Sequence, residues 1–263
     1  MNKKLKTFLA CLNIDRKVVG VKFLFTKEEY DKVDARPSKT KLSYCMMVNI
    51  ASSGRSIKVR EEHFWCSSSA RAFGIKEVDD KITSGREYYS YGLYNELGNA
   101  RKVFEEMIYL NHKIYGIELR PIEEFKEKPH VVIIISQPYD IMRIVQGYSY
   151  KYGYANQIKF AGNQGLCSEL TVRPYMNNDI NISLLCSNTR HSCNWESDEM
   201  GIGIPYTLYE DIMDGVINTM NYVEPDYRKE FISSKLKEDN LEVDVNFGEN
   251  YYDSCLGVAK LDK

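Results

Sequence analysis

Two continuous apolar runs stand out along the chain, residues 18–25 (VVGVKFLF) and 130–136 (HVVIIIS). Both are rich in β-branched residues and short for helices, so each predicts a buried strand. Residues 57–60 (IKVR) alternate apolar and charged positions, the pattern of a half-buried strand. Weaker strand patterns cover 113–119, 158–160 and 180–185. Helical spacing is clearest over 139–153, where Ile141, Ile144, Val145 and Tyr148 line one face and Gly153 ends the pattern. Further helices are predicted over 1–13, 43–51, 69–74, 95–110, 205–220 and 227–237, with 27–41 as a polar loop and a weakly patterned tail. Strands interleaved with helices place the chain in the α/β class, with a mixed α+β arrangement as the alternative.

An internal repeat changes this picture. Ile57-Lys58-Val59, six residues, then Cys66-Ser67 matches Ile158-Lys159-Phe160, six residues, then Cys167-Ser168. Both segments follow a helix and a strand, and an arginine comes soon after each (Arg71, Arg173). The match predicts two similar strand–helix–strand halves related by a pseudo-twofold, with Cys66 and Cys167 facing a shared cleft. The organisation is then an N-terminal helix (1–14), a first half (15–125), a second half (126–222) and a charged C-terminal extension (223–263).

A chain of 263 residues can bury a substantial core. Its formal charge of −2 gives no electrostatic case for nucleic acid or for an anionic membrane surface. The apolar stretch Phe8-Leu9-Ala10 is far shorter than the roughly 7–15 residues of an export signal. No run approaches the ~20 residues of a membrane span. A cytoplasmic protein, with neither nucleic acid nor membrane as partner, is the expectation.

Seven cysteines are scattered through the chain, an odd number that argues against a disulfide framework in a reducing compartment. Cys66, Cys167 and Cys186 sit where loops leave strands, and Cys45 lies on the short helix before the first of these loops. A cysteine at a helix start meets backbone N–H donors that favour the thiolate, the form that binds metal. Four thiolates suit an iron–sulfur cluster or an all-cysteine zinc site. His63 three residues before Cys66, with His191 and Cys193 beyond Cys186, offers a mixed His/Cys alternative suited to zinc. There is no C-x-x-C pair, phosphate-binding loop, dinucleotide fingerprint, G-x-S-x-G elbow or H-E-x-x-H helix.

Several motifs occur in order: Ser43-Tyr44-Cys45; His63-Phe64-Trp65-Cys66 followed by Ala70-Arg71-Ala72-Phe73-Gly74; Pro129-His130-Val131-Val132-Ile133; and Gly165-Leu166-Cys167-Ser168 with Thr171, Arg173, Pro174 and Tyr175. Asn181-Ile182-Ser183-Leu184 with Cys186 and Arg190, then Asp198-Glu199-Met200 with Ile202-Gly203-Ile204-Pro205, complete the set. Over roughly 16–220 the chain resembles the uncharacterised prokaryotic family catalogued as domain of unknown function 169, common in archaea and anaerobic bacteria. It departs from that family's Cys-x-Gly-x-Arg pattern at Cys186-Ser187-Asn188-Thr189-Arg190, which lacks the glycine. The family's distribution among anaerobes is compatible with an oxygen-sensitive centre, and the resemblance supplies no reaction. Two readings follow. In the first, a 4Fe-4S cluster held by Cys45, Cys66, Cys167 and Cys186 serves an oxidoreductase. Arg71, Arg173 and Arg190 then bind a small anionic molecule, and an electron-transfer partner has a place. In the second, the protein is a non-catalytic carrier of a metal, a cluster or a tetrapyrrole-like ligand.

Overall fold

The computed structural model describes residues 2–163 and 165–251, so Cys255 lies outside the described residues. The chain forms two compact units built from interleaved segments: Met1–Asp15, Ser136–Asn156 and Leu208–Lys263 in one, Arg16–Ile135 and Gln157–Thr207 in the other.

Seven strands form one sheet: β1 (Val19–Leu24), β2 (Arg36–Pro37), β3 (Ile57–Arg60), β4 (Gly116–Pro121), β5 (Val131–Ser136), β6 (Asn181–Ser183) and β7 (Met200–Pro205), in the order β2-β3-β4-β1-β5-β7-β6. The α/β expectation stands, and the sheet is mixed. β1 runs antiparallel to both β4 and β5, β3 to β4, and β6 to β7; β2 is parallel to β3. The Tyr206 N–H after β7 donates to the His130 carbonyl before β5. Gly201 meanwhile lies against Ile135 at the far end, so these two strands are antiparallel as well. The two apolar runs of the sequence are thus the central neighbours β1 and β5, where strands are covered on both faces. One face of the sheet (Val21, Phe23, Ile117, Leu119, Ile133) is buried under the helix Tyr44–Ser52, under Phe73 at the end of the helix Ser67–Ala72, and under Leu166–Val172.

Two sequence expectations fail locally. Residues 158–160 form no strand. The Lys159 N–H donates to Asn181 Oδ1 at 2.8 Å and its carbonyl accepts from Asn181 Nδ2 at 3.0 Å, so one side chain of β6 satisfies what a neighbouring strand would. In consequence Cys66 follows a strand (β3) whereas Cys167 precedes one (β6), and their places in the strand order differ. The polar stretch 27–41 is not wholly loop: Thr26 and Glu29 make a reciprocal capping box that starts the helix Lys27–Lys32, and β2 follows.

His130, at the start of β5, accepts the Phe23 N–H on Nδ1 at 2.9 Å and stacks on the Phe23 ring. Burial, and secondarily Lys22, hold its pKa below the ordinary value. A depressed histidine pKa contributes stability that is present above the unfolded value, about 6.5, and is lost as pH falls through it. Denaturation midpoints of the wild type should therefore drop between pH 8 and 5. His130→Asn keeps an acceptor for the Phe23 N–H and should flatten that dependence; an equally steep fall in the variant refutes the assignment.

In the other unit Asn2 caps the helix Lys3–Ala10, and the helices Pro138–Tyr152 and Tyr206–Val223 cross with backbones in contact at Gly147 and Gly215. A fully buried ion pair joins Arg143 to Glu224 at 2.6 Å. Cys11 is buried nearby, its thiol pushed up to about 12 by desolvation.

Candidate functional site

Within the unit that contains the sheet, a cavity of about 600 Å³ is lined by Cys45, Cys66, Cys167 and Cys186 together. Each comes from a different segment, and each opens a helical turn. Cys45 is the second residue of the helix Tyr44–Ser52, whose Ser43 cap takes the Met46 N–H. Cys66 and Cys186 directly precede the helices Ser67–Ala72 and Ser187–Ser192. Cys167 directly precedes a π turn, Ser168–Val172, in which the Val172 N–H reaches back five residues to the Cys167 carbonyl at 3.0 Å.

The turn is held from both sides. Thr171 Oγ1 donates to the Leu166 carbonyl at 2.6 Å, so the Tyr44 hydroxyl, 3.0 Å away, is the donor to Thr171. Gly203 of β7 lies so close beneath that an added Cβ would stand 2.1 Å from the Leu170 carbonyl oxygen. The result joins the starts of two cysteine-bearing segments, 44–45 and 166–171, by one buried hydroxyl chain.

Cys45 and Cys167 are buried, whereas Cys66 and Cys186 are partly exposed, and no disulfide joins the six described cysteines. Burial raises the Cys45 thiol pKa well above the usual value, and neighbouring Cys167, Cys186, Cys193 and Cys66 push it the same way. Cys167 is likewise raised by burial and then by Cys66, against the opposing N–H of Ser168. Thiols so placed stay protonated unless a cation joins them, and a bound metal deprotonates a coordinating thiol outright. The donor set therefore suits a soft metal or an iron–sulfur cluster. A tetrahedral zinc site needs sulfurs about 3.8 Å apart. Among the described residues no three His, Cys, Asp or Glu side chains are grouped closely enough to hold a metal ion of any kind as they stand.

Arg71 also lines the cavity, where it meets Glu87 at 3.3 Å and Asp79 at 3.5 Å, long distances for charged pairs. Tyr91 donates to the same Glu87 at 2.8 Å. Trp65, Tyr91 and Leu93 form an apolar rim and are 68%, 56% and 53% exposed. Sequence reasoning had no handle on Glu87, Tyr91 or Leu93, because the segment 80–95 carries no motif.

The other candidates lie elsewhere. Arg190 donates to the carbonyls of Leu184, Glu196 and Glu199 and so ties its own loop together. Arg173 donates to the Glu106 carbonyl and borders a second cavity. His63 Nδ1 accepts the Arg60 N–H at 3.0 Å, and His191 is exposed; neither lines the thiol cavity. Cys193 is buried just behind the wall, its sulfur 3.5 Å from the hydroxyls of Ser43 and Ser192.

Comparison with known proteins places this site in a family. The uncharacterised protein MJ0308 of Methanocaldococcus jannaschii is 23% identical over 217 residues, covering 80% of this chain and 91% of that one. No solved structure matches the chain. The model of the family DUF169, described as "Uncharacterised ArCR", matches residues 7–215, a span that includes all four cavity cysteines. The chain belongs to this family.

Proposed function

We propose that the thiol cavity holds an iron–sulfur cluster on Cys45, Cys66, Cys167 and Cys186, and that the protein is an oxidoreductase acting on a small anionic molecule. One observation carries this reading: four cysteines from four separate segments line a single cavity, each at the start of a helical turn. A cluster there would supply one-electron chemistry. The chain's own part is to keep water from the inner pair, Cys45 and Cys167, to present N–H donors to the thiolates, and to offer Arg71 as the cation nearest the mouth. The long Arg71–Glu87 contacts leave that guanidinium room to take a substrate carboxylate or phosphate in Glu87's place. The same contacts favour an enzyme over a carrier, which needs no such cation.

The pseudo-twofold is part of the proposal, in a register the sequence repeat does not suggest. The strand order reads outward from the central β1 and β5 as β4 then β3 on one side and β7 then β6 on the other. A helix with a cysteine at its start precedes each outer strand (Cys45 before β3, Cys167 before β6). After each outer strand comes Cys-Ser and, soon after, an arginine (Cys66-Ser67 to Arg71, Cys186-Ser187 to Arg190). The pairs are then Cys45 with Cys167, both buried, and Cys66 with Cys186, both partly exposed.

Protein purified without oxygen should contain iron and acid-labile sulfide and absorb broadly in the visible. Cys45→Ser and Cys167→Ser should abolish the absorption, and Cys11→Ser should leave it intact. Colourless protein after iron-replete expression sinks the cluster; stoichiometric zinc in its place points to a Cys or mixed His/Cys site.

A further inference from the structure

The turn that follows Cys167 also lines a second cavity, of about 520 Å³, which no sequence motif announces. Its walls are Val103 and Met107 from the helix Leu97–Glu105 and the residues just beyond it, together with Ile158 and Phe160 from the extended segment before the turn. Phe160 is 47% exposed. Three cations, Lys102, Lys159 and Arg173, border it with two carboxylates, Glu106 and Glu169.

Both carboxylates are already engaged. Glu106 pairs with Lys159 at 2.5 Å. Glu169 takes the Ala161 N–H at 2.8 Å on one oxygen and the Ser183 hydroxyl on the other. Lys102 makes no ion pair among the described residues, and Arg173 donates to the neutral Glu106 carbonyl while feeling the charges of Glu106 and Glu169, so three cations against two carboxylates leave one positive charge in excess. An apolar pocket whose unbalanced charge is positive selects a ligand of the opposite make-up.

We infer that this second cavity binds an amphiphilic organic anion, its apolar body on Val103, Met107, Ile158 and Phe160 and its carboxylate or sulfonate at Lys102 and Arg173. The site is separate from the thiol cavity, and the inference does not depend on what that cavity holds. The two share one turn, with Cys167 lining the first and Ser168 and Glu169 lining the second.

The probe is 8-anilinonaphthalene-1-sulfonate, an apolar ring system with one sulfonate. Titrated into the full-length protein, it should bind with one site and blue-shifted emission. Decanoate should displace it, and decanol, which lacks the charge, should do so at least tenfold less well. Lys102→Glu reverses an exposed charge at the anion's place and should weaken the probe about tenfold or more. Val103→Trp should fill the cavity and remove most of the binding. Trp65→Ala, at the rim of the thiol cavity, should leave the probe's affinity unchanged. Absence of saturable binding overturns the inference. So does a probe affinity that falls in Trp65→Ala while Lys102→Glu and Val103→Trp bind like wild type, because the probe is then in the other cavity.

Discussion

Replacing Glu224 by alanine is expected to destabilise the protein by about 3–5 kcal/mol, the range for removing one partner of a buried ion pair. Both side chains of the Arg143–Glu224 pair are fully buried. Glu224 also takes the Tyr139 hydroxyl at 2.8 Å and Arg228 Nε at 2.9 Å, so three donors converge on one carboxylate. Without it Arg143 keeps only neutral partners, Gln146, Thr219 and the Val216 carbonyl. A guanidinium cannot escape the cost by losing its proton, because its pKa lies too high. The double variant Arg143→Met/Glu224→Leu removes both charges and should recover much of the loss, which a urea denaturation series measures as coupling. If Glu224→Ala costs less than about 1 kcal/mol, water reaches Arg143 and the pair is not the closed unit described here.

Gly203→Ala is expected to cost about 1–3 kcal/mol or more, because the added methyl meets backbone rather than a movable side chain. Its Cβ would stand 2.1 Å from the Leu170 carbonyl oxygen and 2.8 Å from Leu170 Cα. Either β7 or the π turn must shift, and the π turn carries Cys167. The variant should therefore lower the melting temperature and also change the reactivity of Cys167 toward a thiol reagent. Gly201→Ala is the discriminating partner. There the nearest atoms are the Cδ1 methyls of Leu170 and Ile135, so Leu170→Val should partly rescue it. The same second change should not help Gly203→Ala, where the obstacle is main chain. Equal rescue of both would mean that the turn is softer than its hydrogen bonds imply.

The parts of the fold legible in the sequence are those where one residue type dominates a run. β1 and β5 show as β-branched stretches, and the helix Pro138–Tyr152 as a 3.6-residue period closed by Gly153. Three of the four cysteines, Cys66, Cys167 and Cys186, show for a different reason: each follows a strand pattern in the sequence, a place where α/β proteins carry chemistry, while Cys45 shows only as a helix residue before the first of these loops. What stayed hidden depends on side chains that stand in for backbone. Ile158-Lys159-Phe160 has strand composition, yet Asn181, 22 residues on, takes both of its central hydrogen bonds. Arg190 and Arg173 have the spacing of ligand-binding residues but point at carbonyls, a choice that only the folded loop decides. The letters that suggested a repeat, I-K-x and C-S, fall on segments with different places in the strand order, since Cys66 follows β3 and Cys167 precedes β6.

The wide turn at Ser168–Val172 bears on how the gene can change. A π turn holds one residue more than an α turn over the same rise, so losing a single codon there would leave an unbroken ordinary helix. Every residue upstream would swing by about 100° around the helix axis. Cys167 would then leave the thiol cavity, the second cavity would be re-lined, and the contacts of Glu169 with Ser183 and Asn181 of β6 would break. The register of this one short turn thus decides which side chain, Cys167 or its neighbours, lines each cavity.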